Sequence, residues 1–553
     1  MFIRGILLSI ICLFLSIIWV NGEEKCVTIV GDKIIRIDDV ATGNWKNSSY
    51  LVCASFYNQI NQTGWSMLNI WSNPDSRLND SSIAFLAGYL EGYITRELIN
   101  YHFHNVWSTY CNEHETFCIK VFDFYKQNIQ FMRNKVETES KVNPFWYQVG
   151  LILEQITGLE EGMKQTSIFR SETRFDQLEI GKIFILNSIP DLWELESVLG
   201  RAIKSKDRGK TTCSAIIKLL PNDLIVGHNT WLEFSQMLRI LKKYDLSYRT
   251  GSSEHSNVVP GQIISMSSYP GLIFSLDDYY LLSSGLVVTE TTNVNFNLTS
   301  FQLVKPTSVF CFVRMMVANR LAVDGSSWSR IFAQYNSGTY NNQFMIIDYK
   351  RYQANSFNQK PGLFWILEQM PDFFIAKDMT SALVTNKYWA SYNIPYFEDT
   401  YLIAGYPMLR NAYGPFFDHH ETVRAKQFRR KQDQANDYKS VLKLLRYNNY
   451  TQDIDTQCDV CKPPYSATVS LASRGDLNDP NGSYSIPIYG LINETAIDVK
   501  VTSYELFKQF KMYAISGPTY EDVPPFIWSN SSLKYEILHE GHPDVWIFSP
   551  IYF

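Results

Sequence analysis

Residues 211–231 have the sequence TTCSAIIKLLPNDLIVGHNTW, in which the turn residues Pro221-Asn222-Asp223 separate two apolar runs. Apolar residues on either side of such a turn predict a β-hairpin, with strands at 213–219 and 224–229. Antiparallel strands of similar length bring the start of the first strand beside the end of the second. The hairpin is therefore expected to place the Cys213 thiol next to the segment from His228 to Trp231.

The segment just before the hairpin, RAIKSKDRGK at 201–210, is basic, polar and contains glycine. Such a segment is expected to be exposed and accessible to proteolysis. A strand that begins with cysteine directly after a cleavable segment suggests an N-terminal nucleophile (Ntn) hydrolase made from a precursor. In this hypothesis the Cys213 thiol attacks the carbonyl of Thr212, the bond shifts to a thioester, and water completes the cut. The two fragments are expected to stay associated.

The protonation state of a thiol gives a chemical reason for creating a new N-terminus at the nucleophile. A free thiol has a pKa of about 8.5, so only a small fraction is thiolate at neutral pH. An α-amino group, with a pKa of roughly 7.7–8.0, can take the proton within the same residue and needs no His–Asp relay. We therefore expect Cys213 to be the nucleophile and its own amine to be the base.

Further segments, taken in order, resemble one known family. They include SSYPGLIFSLDDYYLLSSGLVVTETT at 267–292, NSGTYNNQFMIIDY at 336–349, YWASYNIPYF at 388–397 and SGPTYEDVPPFIWS at 516–529. With the hairpin block, they make the chain resemble the phospholipase B-like (laminin-ancestor-like) family over most of its length. The resemblance implies an α+β fold, the four-layer αββα sandwich of Ntn hydrolases. It also implies a secreted or lysosomal protein that hydrolyses acyl esters or acyl amides.

A weaker resemblance to the bile-salt hydrolase and acid ceramidase branch of Ntn enzymes suggests further site residues. That branch carries Gly-Arg-Asn-x-Asp at the end of the second strand, where this chain has Gly227-His228-Asn229-Thr230-Trp231. His228 replaces the Arg and is expected to orient the amine or polarise the substrate, a hydrogen-bonded structural histidine being the alternative. Trp231 replaces the Asp. In that branch the Asp holds the amine, and this role does not transfer directly to a tryptophan. Thr230 and Trp231 are candidate substrate contacts.

The same branch has an Asn-x-Pro turn whose Asn donates to the oxyanion, and Asn393-Ile394-Pro395 matches it. Asn393 is thus expected to be catalytic, with a structural turn as the alternative. The segment 285–292 resembles a segment of the same branch that ends in another site Asn. Thr291 and Thr292 are therefore candidate substrate contacts. Arg424, Arg429 and Arg474 could be ion-pair partners near the site, but they are more typical of surface or scaffold residues. The Asn-rich run 336–342 could line the cleft, and a polar turn between strands explains it equally well.

Composition limits the classes of function. The 553 residues carry a net charge of −5 with 45% hydrophobic and 15% aromatic residues. This composition provides a large core and argues against nucleic acid as a partner. The sequence has no G-x-S-x-G elbow, no H-E-x-x-H motif and no glycine-rich phosphate loop. We expect neither a metal nor another cofactor.

The N-terminal residues indicate secretion. Residues 1–22 have one early cation followed by an apolar run, which predicts a signal peptide and a secreted or lysosomal protein. No later stretch reaches the roughly 18 apolar residues needed to span a bilayer, so no transmembrane segment is expected in the mature chain. Sequons for N-glycosylation occur at Asn47, Asn61, Asn79, Asn297, Asn449, Asn481, Asn493 and Asn530.

The cysteines fit the same compartment. The close pairs Cys111/Cys118 and Cys458/Cys461 are predicted to form local disulfides. Half a zinc site is the alternative for the second pair, although no other pair or suitable histidine spacing accompanies it. Of the remaining cysteines in the mature chain, Cys53 and Cys311 are predicted to be buried as small hydrophobic residues.

Helical patterns dominate the fragment 23–212 before the predicted cut, and strand patterns dominate the fragment 213–553. Within the first fragment, residues 23–80 are predicted to be irregular to β, with strands near 26–37 and 50–56. Helices are predicted at 81–104, 118–136, 143–164 and 191–199, as one outer layer followed by a linker at about 200–212. Besides the hairpin, the second fragment is predicted to contain a helix at 232–243 and strands at 261–266, 272–275, 286–292, 309–316, 343–349 and 363–368.

The residues and the resemblance together predict an acyl hydrolase that releases fatty acids from glycerophospholipids through a thioester acyl-enzyme. The choice of a lipid substrate comes from the resemblance alone. An amidase acting on N-acyl lipids or peptides is one alternative, because a thiol accepts acyl groups from esters and amides alike. A glycoprotein that keeps the fold but only binds lipid or protein is another.

Overall fold

A computed structural model describes residues 22–30, 34–41, 49–74, 78–165, 180–201, 212–253, 255–356 and 358–553. The predicted signal peptide, most of the predicted linker and the sequon at Asn47 lie outside these residues.

The chain is a mixed α+β structure. Its strands are β1 (Glu23–Val30), β2 (Ile34–Asp39), β3 (Val52–Gln59), β4 (Trp65–Ser72), β5 (Thr212–Leu219), β6 (Leu224–Glu233), β7 (Arg239–Asp245), β8 (Ile263–Ser268), β9 (Tyr279–Leu282), β10 (Leu286–Thr292), β11 (Asn342–Asp348), β12 (Phe364–Met370), β13 (Phe373–Asp378), β14 (Tyr388–Ser391), β15 (Glu494–Ala496), β16 (Asp498–Thr502), β17 (Tyr513–Ser516) and β18 (Ile551–Tyr552).

Helices precede and follow the strands. They are α1 (Ile60–Thr63), α2 (Asp80–Ile94), α3 (Arg96–Trp107), α4 (Glu115–Glu139), α5 (Pro144–Lys164), α6 (Lys182–Val198), α7 (Cys311–Leu321), α8 (Gly325–Phe332), α9 (Thr380–Asn386), α10 (Glu398–Ile403), α11 (Tyr406–Tyr413), α12 (Val423–Lys431), α13 (Tyr438–Leu445) and α14 (Tyr504–Phe507). Within the described ranges, no helix has both the length and the apolar character needed to cross a bilayer.

The strands form two large sheets. The first has 11 strands in the order β13-β12-β11-β10-β9-β8-β7-β4-β3-β1-β2. The second has seven strands in the order β14-β5-β6-β16-β17-β18, with β15 also paired to β6. The pairing of β4 with β7 is parallel and joins the strands before the predicted cut to those after it.

The two sheets pack against each other, and helices cover their other faces. Ala215 of β5 and Val287 of β10 belong to one apolar cluster between the sheets. Because side chains alternate along a strand, the neighbouring residues point the other way. Val288 packs with residues of α2, α5, α6 and α7, and Ile216 packs with residues of α12 and α13. The hairpin is therefore buried on both faces.

Three predicted elements of the second fragment are wrong. The predicted helix at 232–243 is the end of β6, a short 3₁₀ turn at Phe234–Gln236 and β7. The predicted strand at 309–316 lies largely in α7, and 272–275 is a turn before β9. Both β7 and α7 are buried nearly all round, and a segment that is apolar on every side loses the periodicity that separates helix from strand.

The strands predicted in the first fragment near 26–37 and 50–56 are confirmed as β1 with β2 and as β3, while its helices differ in part from the prediction. The predicted helix at 81–104 is divided at Thr95 into α2 and α3, whereas the helix predicted at 143–164 is confirmed as α5. The Asn143 side chain caps α5 by accepting a hydrogen bond from the Phe145 N–H at 3.0 Å. In addition, β1–β4 belong to the 11-stranded sheet.

Both predicted disulfides, Cys111–Cys118 and Cys458–Cys461, are present. The prediction for Cys53 is wrong in one respect, because this buried residue forms a disulfide with Cys26. The two cysteines lie directly opposite each other on β1 and β3, a register that their separation of 27 residues does not reveal. Cys213 and Cys311 are the free cysteines of the described residues, and both are buried.

Candidate active site

The predicted hairpin is confirmed as β5 and β6. Cys213 pairs with Thr230, and Ala215 pairs with His228. Because residues two apart share one face of a strand, Cys213, His228 and Thr230 all face the interior between the two sheets. The Cys213 side chain is buried, with 4% of its surface exposed.

The backbone of Cys213 is held by two side chains from distant segments. Its N–H donates to the carboxamide oxygen of Asn393 at 2.9 Å. The Arg424 guanidinium donates from Nη1 to the Cys213 carbonyl at 2.5 Å and to the same Asn393 oxygen at 2.8 Å. Its Nη2 donates to the carbonyl of Tyr392 at 2.7 Å. Asn393 and Arg424 therefore fix both backbone polar groups of Cys213.

Arg424 is the site residue that the sequence favoured as scaffold or surface. Its side chain is buried, and its guanidinium lies over the Trp231 ring at 4.4 Å. Burial lowers the pKa of Arg424 to about 9, so the group stays charged at neutral pH. The sequence contained a pattern that indicates this burial. Arg424, Gln427 and Phe428 follow the spacing of adjacent helical turns and share the buried face of α12.

Asn393 uses all of its polar atoms. It has a left-handed backbone with φ of 68°, and its NH₂ group donates to the Thr292 carbonyl at 2.8 Å. Its backbone N–H donates to the Thr291 hydroxyl at 3.3 Å, and this hydroxyl also lies 2.6 Å from the Ser391 hydroxyl. Thus the carboxamide oxygen faces Cys213, while Thr291 and Thr292 position Asn393.

The thiol of Cys213, one ring nitrogen of His228 and a carboxylate oxygen of Glu290 lie within 4.8 Å of one another. Glu290, on β10, was not among the predicted site residues, although the quoted block 267–292 contains it. His228 is fully buried, and neither ring nitrogen forms a hydrogen bond with a described residue. The ring does interact with the backbone of Glu290, so a role at the site and the alternative of a hydrogen-bonded structural histidine both stay open.

Burial determines the protonation of this cluster. Burial raises the pKa of the Cys213 thiol well above its usual value, and the negative charge of Glu290 adds to the rise. Burial lowers the pKa of His228 well below its usual value, and the nearby Lys500 cation adds to the decrease. Burial also raises the pKa of Glu290, helped by Asp278. The uncut chain therefore holds a protonated thiol beside a neutral imidazole.

Four buried charged residues connect the two sheets behind this cluster. Arg239 of β7 pairs with Asp277 and with Asp498, the latter at 2.8 Å. Lys500 of β16 lies 2.9 Å from Asp498 and 3.2 Å from Asp277. It also bonds to the hydroxyl of Thr230, whose N–H donates to Asp498 at 3.0 Å. Thr230 is thus anchored by this network.

The other predicted contact on β6, Trp231, is fixed by its neighbour. Its indole N–H donates to the carboxamide oxygen of Asn229 at 3.0 Å, and the same oxygen accepts from the Ser214 N–H at 2.8 Å. The Asn229 NH₂ group donates to the carbonyls of Leu445 and Leu471, both at 2.7 Å. Asn229 therefore ties the hairpin to the layer that covers it.

The remaining candidates have scaffold contacts. Arg429 is exposed and donates to the carbonyl of His420 at 2.7 Å. Arg474 is buried but pairs with Asp476 at 2.8 Å. In the Asn-rich run, Asn336 donates to the carbonyl of Met370 at 2.9 Å. These three contacts hold turns and loops together. The same run nevertheless reaches the cluster at Cys213, because the Tyr340 hydroxyl donates to the Glu290 carboxylate at 3.3 Å.

An apolar cavity of about 210 Å³ is lined in part by Asn393 and Arg424, the two residues that bond to the Cys213 backbone. Asn393 and Arg424 form its polar wall. The rest of the wall is mostly aromatic or aliphatic and consists of Val294, Phe296, Tyr392, Ile394, Tyr406, Leu409, Tyr413, Phe416, Phe417, Thr422, Ile486, Pro487 and Ile488. An apolar cavity with a few convergent polar groups at one end is the usual form of a small-molecule site.

Known proteins resemble this chain over most of its length. A family model described as Phospholipase B matches residues 52–553. The chain is 41% identical to "Putative phospholipase B-like 2" of Mus musculus over 504 residues, which are 90% of this chain and 84% of that protein. It is 35% identical to "Putative phospholipase B-like 1" of Caenorhabditis elegans over 509 residues, 91% of this chain and 87% of that protein. "Phospholipase B-like 1" of Rattus norvegicus is also 35% identical, over 89% of this chain and 86% of its own. The family resemblance is thus confirmed, and the chain belongs to the phospholipase B family.

Proposed function

We propose that this protein is an Ntn acyl hydrolase that is cut between Thr212 and Cys213 and uses the Cys213 thiol as its nucleophile. The observation that carries the proposal is the hydrogen bond of 2.9 Å from the Cys213 N–H to Asn393. It holds the nitrogen atom that becomes the α-amine after the cut. The buried thiol begins an inner strand, and an apolar cavity lies beside it.

The proposed cut uses atoms that are already adjacent. The Cys213 sulfur attacks the carbonyl carbon of Thr212, the C–N bond breaks, and Cys213 nitrogen takes a proton to become an amine. Water then hydrolyses the resulting thioester, leaving a carboxyl group on Thr212 and a free thiol on Cys213. The new amine can accept the thiol proton in later turnovers. Asn393 supports this step because its carboxamide oxygen can accept a hydrogen bond from the amine.

The same thiol would then act on a lipid. It attacks the acyl carbonyl, the alcohol leaves with a proton, and water hydrolyses the thioester to a fatty acid and the free thiol. The cavity supports an acyl substrate because its walls are mostly apolar and its polar end, Asn393 and Arg424, lies at Cys213. The names of the relatives support glycerophospholipid esters as the substrate class.

The packing supports the four-layer αββα sandwich that we propose for the fold type. Apolar clusters lie between the sheets and between each sheet and its own helices. The parallel pairing of β4 with β7 would keep the two fragments associated after cleavage. Separating them would expose the buried faces of α2, α5 and α6, and burial of apolar surface contributes roughly 25 cal/mol per Å².

We propose a secreted or lysosomal location and glycosylation at exposed sequons. Three disulfides within the described residues fit an oxidising compartment. Among the sequons described, Asn61, Asn79, Asn481, Asn493 and Asn530 are exposed, whereas Asn297 and Asn449 are half-buried. Asn297 donates from Nδ2 to the carbonyl of Ile403 at 3.0 Å, so a glycan there would disturb a packed loop.

A comparison of substrates tests the proposed function. The purified protein is assayed with a long-chain phosphatidylcholine in micelles and with an N-acyl amide of the same acyl chain. Release of fatty acid from the phospholipid, absent in a Cys213→Ala variant, supports the proposal. Hydrolysis of the amide alone would assign an amidase. Equal release by wild type and Cys213→Ala would place the chemistry elsewhere.

A further inference from the structure

We propose that Cys213, His228 and Glu290 form a zinc site whose occupancy blocks the nucleophile. Their sulfur, nitrogen and oxygen donor atoms lie within 4.8 Å of one another. Thiolate, imidazole and carboxylate are the three kinds of protein ligand that zinc prefers. The ion would be an inhibitor and not a cofactor of the reaction.

The histidine provides the independent evidence for a ligand. His228 is fully buried, and neither ring nitrogen forms a hydrogen bond of good geometry with a residue in the described ranges. The backbone of Glu290 interacts with the ring, and one such contact leaves the other nitrogen without a partner. A buried polar group without a partner costs about 1–3 kcal/mol, so nearly all such groups in folded proteins are satisfied. A metal ion bound to one nitrogen would remove part of this cost, and the thiol and carboxylate lie where its other ligands are needed.

The local charges favour a cation at Glu290. Asp277 is compensated by Arg239 and Lys500. By contrast, no described lysine or arginine forms an ion pair with Glu290 or with Asp278, and both are fully buried. The Tyr340 hydroxyl donates to the Glu290 carboxylate at 3.3 Å, a contact with a neutral group that supplies no positive charge. One Zn²⁺ with the thiolate, the Glu290 carboxylate and the neutral imidazole is an electrically neutral group, which suits a buried position.

The geometry requires only a small contraction. Around a tetrahedral zinc with ligand bonds of about 2.0–2.3 Å, the ligand atoms lie roughly 3.4–3.6 Å apart. Rotation of the Cys213 and Glu290 side chains can supply the difference from 4.8 Å, because the two residues lie on different sheets that face each other. Three protein ligands leave a fourth position for water or, after the proposed cut, for the amine of Cys213.

Occupancy would silence the enzyme, because the thiolate bound to zinc can no longer attack an acyl carbonyl. Binding displaces one proton from the thiol and one from Glu290. Besides each other, the charged groups facing the donors are Asp277 and Asp278 before β9, Arg239 of β7 and Lys500 of β16. The two cations moderate the affinity without occupying a ligand position.

Cobalt(II) titration of the purified protein, with zinc as competitor, tests the proposal. The expected result is one cobalt ion per chain with a thiolate-to-cobalt charge-transfer absorption that excess zinc removes. Cys213→Ser should lose this absorption, whereas Cys311→Ser, which changes the other buried free cysteine, should keep it. His228→Gln and Glu290→Gln should each weaken zinc binding by about tenfold or more.

Two outcomes would overturn the proposal. One is a wild-type protein without the charge-transfer absorption, and the other is an absorption that persists in Cys213→Ser or disappears in Cys311→Ser. Melting curves recorded without metal show whether each variant is folded. If Glu290→Gln is not folded, the comparison of Cys213→Ser with Cys311→Ser decides whether the site binds metal. Metal binding needs neither cleavage nor hydrolysis, so its failure is separable from failure of the proposed function. Inhibition by zinc is then measured on the active protein.

Discussion

The carboxamide oxygen of Asn393 accepts a hydrogen bond of 2.9 Å from the backbone N–H of Cys213, 180 residues earlier in the chain. If this contact prepares the Thr212–Cys213 bond for cleavage, Asn393→Ala should slow processing and turnover by about a hundredfold, the usual effect of losing one such hydrogen bond at a reacting centre. The time course of precursor loss, followed by intact mass, measures the effect.

The conservative variant Asn393→Asp separates two interpretations of the same residue. An aspartate keeps the oxygen that accepts from Cys213 but loses the NH₂ group needed to donate to an oxyanion. Processing by the aspartate variant at a rate well above that of Asn393→Ala supports the acceptor role. Normal processing and turnover in the alanine variant would leave Asn393 as a structural turn.

Arg424→Gln should impair processing and lower the thermal midpoint. The substitution removes donors to the carbonyls of Cys213 and Tyr392, and hydrogen bonds from charged groups contribute about 1.5–3 kcal/mol each. Arg429→Gln is the matched control on the same helix, because Arg429 is exposed and donates to the carbonyl of His420 rather than to Cys213. Equal midpoints and equal processing for the two variants would remove Arg424 from the site.

Leu409→Trp should shorten the acyl chain that the enzyme accepts. Leu409 lines the cavity, and each buried methylene contributes about 0.8 kcal/mol, so that excluding two or three lowers kcat/KM roughly 10- to 100-fold. Short-chain esters should be hydrolysed at the wild-type rate. Met408→Trp adds the same ring at an exposed position outside the cavity wall and should leave the chain-length profile unchanged. A selectivity change shared by both variants would argue against the cavity as the acyl site.

Glu194→Gln should flatten part of the pH dependence of stability. Burial raises the pKa of Glu194 to about 7, above its value in the unfolded chain, so the folded state holds a proton that the unfolded state releases. The free energy of unfolding that this proton contributes is fully present below about pH 4.5 and is lost as the pH rises to about 7. The thermal midpoint of wild type relative to Glu194→Gln should therefore decrease from pH 4.5 to 7.5. An increase over this range would contradict the assignment.

The sequence predicted the hairpin and its nucleophile because their signals are local. A turn at Pro221-Asn222-Asp223 sets the pairing of Cys213 with Thr230, and both strands have ordinary strand composition. Likewise, Asn143 and the proline after it marked the start of α5. Such signals lie within a few residues of each other and need no knowledge of the rest of the fold.

Residues that meet only in the fold were harder to predict. Arg424 is one of several basic residues on α12, and its burial depends on packing against the hairpin. Glu290 directly precedes Thr291 and Thr292, which were predicted instead, and it becomes part of the site only when β10 faces β5. The Cys26–Cys53 bond depends in the same way on the register of β1 and β3. The predicted helix at 232–243 failed because β7 is buried on both faces, with Arg239 and Lys242 in buried ion pairs, and therefore shows no alternation of apolar and polar residues.

The central claim is that Cys213 becomes the N-terminus of an active fragment. N-terminal sequencing and intact mass of the purified protein, beside a Cys213→Ala variant, test it most directly. We predict a chain that begins at Cys213 in the wild type and an uncut, inactive chain in the variant. A single wild-type chain that starts near Glu23 and has full hydrolytic activity would contradict the account.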